Sequence, residues 1–71
     1  MLVNVGGHLY EMSKKKAKSL LDIEKNSIKA GIYAVEKENY LELRKDVISD
    51  KEKLKKEVAR YNQQGFKVYY K

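Results

Sequence analysis

A chain of 71 residues has room for one small domain, because a fold of this size buries only about 60% of the surface its unfolded chain exposes. Without cysteine, neither disulfides nor thiolate metal sites can brace it, so close packing or self-association must do so and a homodimer stays open. The formal net charge is +6 and Arg44 and Arg60 are the only arginines among 16 basic residues, a balance that favours encounter with polyanions over base-specific readout by arginine forks.

The hydrophobic share of 42% argues for a folded domain, residues 1–71, rather than a disordered tail. No apolar run is long enough to span a membrane and no basic-then-apolar leader opens the chain, so cytoplasm is the expected compartment and no membrane partner is expected.

From Met1 to Met12, two short apolar-rich runs flank Gly6-Gly7, the pair that tight hairpin turns demand. Pairing Val5 with His8 would put Val3, Val5, His8, Tyr10 and Met12 on the core face. Ser13 then offers a helix N-cap, and Ala17, Leu20, Leu21, Glu24 and Ile28 recur at spacings of three and four. They predict a helix from Lys14 to Lys29, with Gly31 as its stop, or an earlier end near Asn26. Ile23 lies off that stripe.

Gly31 to Arg44 reads as a central hairpin turning at Glu38-Asn39. Ile32, Ala34, Glu36, Leu41 and Leu43 fall on one face, and Tyr33, Val35, Lys37, Tyr40, Glu42 and Arg44 on the other. A one-residue slip would exchange the faces. Ser49 with Glu52 has the spacing of a capping box, and Leu54, Val58 and Tyr61 supply the stripe of a second helix that Gly65 ends. Phe66 to Lys71 alternates as a last strand, Phe66, Val68 and Tyr70 opposite Lys67 and Tyr69.

The order ββαββαβ predicts an α+β two-layer sandwich, with a mostly antiparallel five-stranded sheet and both helices on one face. The other face would then meet solvent or a partner.

Catalysis is not expected. His8 is the lone histidine, which leaves His-based triads and zinc motifs short of parts, and Glu36 and Glu38 fit a solvated strand end better than a glycosidase pair. No cofactor, no metal site and no catalytic residue is assigned.

Two binding surfaces stand out instead. Lys14, Lys15, Lys16 and Lys18 crowd the start of a helix, where the dipole favours anions. A bound phosphate would relieve that conflict, and so would lysines splayed into water. On the uncovered sheet face, Tyr33, Tyr40 and Tyr69 would stand among Lys37, Arg44 and Lys67, a pattern able to stack bases and hold phosphates. Gly65 to Tyr70 echoes an RNA-binding strand motif only in part, since the Gly/Ala-Phe expected before Val68 is missing. Tyrosines are equally ordinary strand residues and protein-interface anchors.

The segments Gly31 to Lys37, Tyr40 to Arg44 and Gly65 to Tyr69 resemble small uncharacterised proteins encoded by phages and prophages of low-GC Gram-positive bacteria, over most of the chain. The resemblance implies a phage accessory role in a bacterial host cell. Such proteins include inhibitors of host machinery, anti-CRISPR proteins among them, and no motif here singles one out. The expectation is a non-catalytic basic binding protein that engages nucleic acid or a nucleoprotein complex. The alternative is an inhibitor or adaptor that binds a host protein and no free nucleic acid.

Overall fold

The computed structural model describes residues 1–71. In chain order the elements are β1 (Leu2–Val5), β2 (His8–Glu11), α1 (Lys14–Ser27), β3 (Gly31–Lys37), β4 (Tyr40–Val47), α2 (Lys51–Gln63) and β5 (Lys67–Tyr70). This is the expected ββαββαβ order of an α+β domain. One open five-stranded sheet runs β2-β1-β4-β3-β5, antiparallel at three of its four pairings and parallel where β1 meets β4.

The first hairpin forms because Gly6 and Gly7 both take positive φ (59° and 89°), the requirement of a type I′ turn. Val5 pairs with His8 as expected. Of the expected core face Val3, Val5 and Met12 join the core, but His8 and Tyr10 of β2 do not. Val3 is fully buried while Tyr10 is 50% exposed, because β2 is a sheet edge and α1 packs over β3 and β4.

The central hairpin turns at Glu38-Asn39, Glu38 taking φ 55°, and pairs Lys37 with Tyr40 and Glu36 with Leu41. The expected faces hold from this turn back to Ala34. Between Ile32 and Ala34 the register shifts against both neighbouring strands, and such a bulge turns successive side chains toward the same side. Tyr33 therefore joins Ala34, Leu41 and Val3 in the core cluster beneath α1. Ile32, equally buried, stands outside that cluster and pairs with Tyr70 on the other face, so the bulge exchanges the expected places of Ile32 and Tyr33.

Local signals set the helix ends. Ser13 Oγ accepts from the Lys16 amide at 3.2 Å, the expected cap of α1. The helix stops at Ser27, one residue past the earlier of its two expected ends rather than at Lys29, with Ile28 extended and buried. Gly31 is accordingly no helix terminator. It opens β3 at φ 126°, exchanging backbone hydrogen bonds of 3.1 and 2.8 Å with Lys71. At α2 the cap is Asp50, one residue beyond the expected Ser49. Its Oδ1 accepts from the amides of Glu52 and Lys53 at 2.9 and 3.4 Å, and a carboxylate at the positive end of the dipole is the stronger acceptor. Gly65 ends α2 as expected: its amide bonds the Asn62 carbonyl and that of Phe66 the Tyr61 carbonyl, a Schellman closure.

The helices do not share a face. α1 covers the face of Val3, Ala34, Leu41 and Leu43. Through Tyr61, α2 meets Arg44, whose side chain leaves β4 opposite Leu43. The result is three layers, helix, sheet and helix. Topology supplies the reason. The pairings make β2 parallel to β3 and β4 parallel to β5, so both helices are crossovers that move in the same direction across the sheet. The strands they leave run oppositely, and the right-handed rule for crossovers then assigns them opposite faces.

Candidate functional site

Lys14, Lys15, Lys16 and Lys18 are all exposed on the first turns of α1, whose first turn contains no acidic residue. None has a carboxylate partner. The four ion pairs of the molecule are Met1 ammonium with Glu11, Arg44 with Glu42 and with Asp46, and Arg60 with Glu57, so no lysine anywhere is ion-paired. Lys14 and Lys18 also border a cleft of about 440 Å³ between α1 and the sheet, where Lys25 and Lys67 join them and Asp22, Glu36 and Glu38 supply opposing charge. Lys15 and Lys16 do not line it.

The other expected cations are occupied. Lys37 Nζ donates to the Gln64 carbonyl at 3.0 Å and sits 5.4 Å from the Phe66 ring centre. Arg44 hydrogen-bonds the Tyr61 hydroxyl, lies 5.4 Å over the Tyr61 ring and pairs with Glu42 at 3.4 Å and Asp46 at 2.8 Å. Both residues tie α2 to the sheet.

Tyr33, Tyr40 and Tyr69 do not form one platform. Tyr33 is 8% exposed beneath α1, 6.0 Å from the Tyr69 ring. The Tyr69 hydroxyl donates to Glu36 Oε1 at 2.7 Å, and Lys67 Nζ lies 5.0 Å above its ring. Burial first, then the bond to Glu36 and the negative charge there, push the Tyr69 phenol up to about 12. Tyr40 projects from the opposite face, donating to Glu42 at 3.0 Å and accepting from Asn4 Nδ2 at 3.2 Å. No uncovered face remains for base stacking: Tyr33, carried by the bulge, and Tyr69, set by the β3–β5 register, lie on the α1 side, and Tyr40 lies on the side of α2.

The structure also contains a surface that sequence reasoning missed. Between α2 and the β3–β5 end of the sheet runs a cleft of about 460 Å³, with Ile48, Leu54, Val58, Ala59 and Tyr70 among its walls. Lys51, Lys55 and Lys71 border it, and no aspartate or glutamate side chain does. Its signal was the narrow apolar stripe of α2, too short to bury itself: no residue of that helix is fully buried.

No group of three or more histidine, cysteine, aspartate or glutamate side chains is arranged to hold a metal ion, and no helix is long and apolar enough to cross a membrane. Comparisons with protein-family models, curated proteins and solved structures return no match.

Proposed function

We propose that this chain is a non-catalytic basic binding protein that engages nucleic acid or a nucleoprotein complex through phosphate contacts. One observation carries the reading: a net charge of +6 is displayed with no lysine ion-paired, and its densest run, Lys14 to Lys18, is fully on the surface apart from Ala17. Unpaired ammonium groups at a helix start suit phosphate oxygens, and a lysine-based contact holds the backbone without reading bases. The resemblance to phage and prophage proteins makes an accessory role in a host cell the matching biology. The protein-binding alternative, an inhibitor or adaptor acting on a host protein, is favoured by a different observation, the apolar cleft beside α2.

A salt titration of binding to single- and double-stranded oligonucleotides tests the first reading. Affinity should fall steeply with salt, and changing Lys14, Lys15, Lys16 and Lys18 to Glu should flatten the slope by roughly 0.7 to 0.9 for each phosphate that is no longer neutralised. Absence of binding near physiological salt removes the reading, and an unchanged slope moves the binding surface off α1.

A further inference from the structure

We propose that the groove between α2 and the β3–β5 end of the sheet is a docking site for an acidic segment of another protein that carries bulky apolar side chains. The inference deepens the protein-binding alternative and does not depend on oligonucleotide binding.

The groove has the chemistry of such a segment. Ile48, Leu54, Val58 and Tyr70 give it an apolar floor, and Tyr70 is 54% exposed, a large ring standing ready as an interface anchor. α2 turns its apolar stripe toward this space, yet leaves every residue of that stripe short of full burial. An added apolar surface would complete the packing that α2 begins.

The rim selects the partner's charge. Lys71 is engaged, its ammonium donating to the Lys25 and Ile28 carbonyls at 2.8 and 2.9 Å, where a cation complements the end of α1. Lys51 and Lys55 remain, one helical turn apart, with no aspartate or glutamate side chain lining the groove and no ion pair of their own. A second copy of this chain would bring another +6 against that rim, and like charges across an interface disfavour it. Nucleic acid would satisfy the lysines but not the apolar floor. An acidic segment with apolar anchors satisfies both.

The test uses the intact protein and a fluorescein-labelled peptide with leucines at helical spacing and glutamates elsewhere, read by fluorescence anisotropy. Saturable binding is expected, and replacing the peptide leucines with serine should abolish it. Lys51→Glu with Lys55→Glu should weaken binding about tenfold or more. The charge-matched pair Lys14→Glu with Lys15→Glu should have a much smaller effect. Ala59→Gln, at an exposed position on the groove wall, should block the site without opening the core. Circular dichroism confirms that each variant is folded.

Equal losses from the two lysine pairs, equal binding of the serine peptide, or no binding at all would overturn the proposal. So would a concentration-dependent dimer that Ala59→Gln abolishes, which would make the occupant a second copy. An oligonucleotide that displaces the peptide would do the same for nucleic acid. The same variants titrated with oligonucleotide separate the two readings, because Ala59→Gln should leave that binding intact.

Discussion

At the scale of single residues, Tyr69 makes stability depend on alkaline pH. Its phenol is raised from 10.0 to about 12, by burial first and then by the hydrogen bond to Glu36, so the folded chain holds this proton after the unfolded chain has released it. The stabilisation is complete below pH 10 and is lost as pH rises from 10 to about 12. The comparison is with Tyr69→Phe, which removes this one proton and leaves every other group in place. Wild-type stability, measured by denaturant unfolding, should fall more steeply across that window than the variant's, and parallel curves would show that Tyr69 is not responsible. Gly31 is decided by geometry alone. At φ 126° a Cβ would collide with the Asp46 carbonyl oxygen and come within 2.7 Å of the Ile48 amide nitrogen, backbone atoms that cannot swing aside. Gly31→Ala should therefore cost more than the roughly 1–3 kcal/mol of an ordinary strained residue, whereas Ala at Gly7, which meets nothing within 4 Å, pays the φ penalty alone. A thermal midpoint for Gly31→Ala equal to that of Gly7→Ala would contradict this account.

At the scale of elements, α1 sets local stability against its proposed use. Lys14, Lys15 and Lys16 occupy a first turn with no acidic residue, where each cation opposes the dipole. Changing these three to Glu should raise stability by roughly 0.3 to 1 kcal/mol per residue at low salt, while weakening any phosphate binding. A rise in the melting temperature with loss of oligonucleotide affinity would mark the lysines as kept for function. Unchanged affinity would leave them as solvated surface. The same helix shows what the sequence made legible. Ser13, the Ala17–Leu21–Ile28 stripe, Gly6-Gly7 and Gly65 act through neighbours a few residues away, and each element they mark is present. What stayed hidden was non-local. The bulge that carries Tyr33 under α1 arises where β3 must satisfy β4 and β5 together, and alternation along one strand contains no trace of it. The candidate platform failed there and at a second non-local point, because the β3–β5 register sets Tyr69 opposite Ala34 on the α1 face while Tyr40, paired with Lys37, stands on the other. Asp50 replaced Ser49 as a cap for a smaller reason, two competent acceptors standing side by side.

At the scale of the whole molecule, the opposite placement of the helices divides the interior into unequal halves. Beneath α1 lie Val3, Ala17, Ile28, Tyr33, Ala34 and Leu41, all buried, with seven further hydrophobic residues packed around them. Beneath α2 the sheet contributes buried Ile32 and Val35, but the helix itself contributes no buried side chain. To its half-buried Leu54, Val58 and Tyr61 are added Arg44 on Tyr61 and, just past the helix end, Lys37 on Phe66 and the Gln64 carbonyl, polar contacts of which only a modest net stabilisation survives competition with water. Elements with few buried apolar contacts open below the global unfolding free energy. Native-state hydrogen exchange should accordingly show α2 amides exchanging through a local opening while β3 and β4 exchange only on global unfolding. Arg44→Met, which keeps the stem and removes the charge and hydrogen bonds, should accelerate exchange in α2 with little change in α1. Were α2 instead to share the protection of β3 and β4, the two faces would be one cooperative unit. The groove beside α2 would then be a fixed surface rather than the edge of an element loose enough to adjust around what it binds.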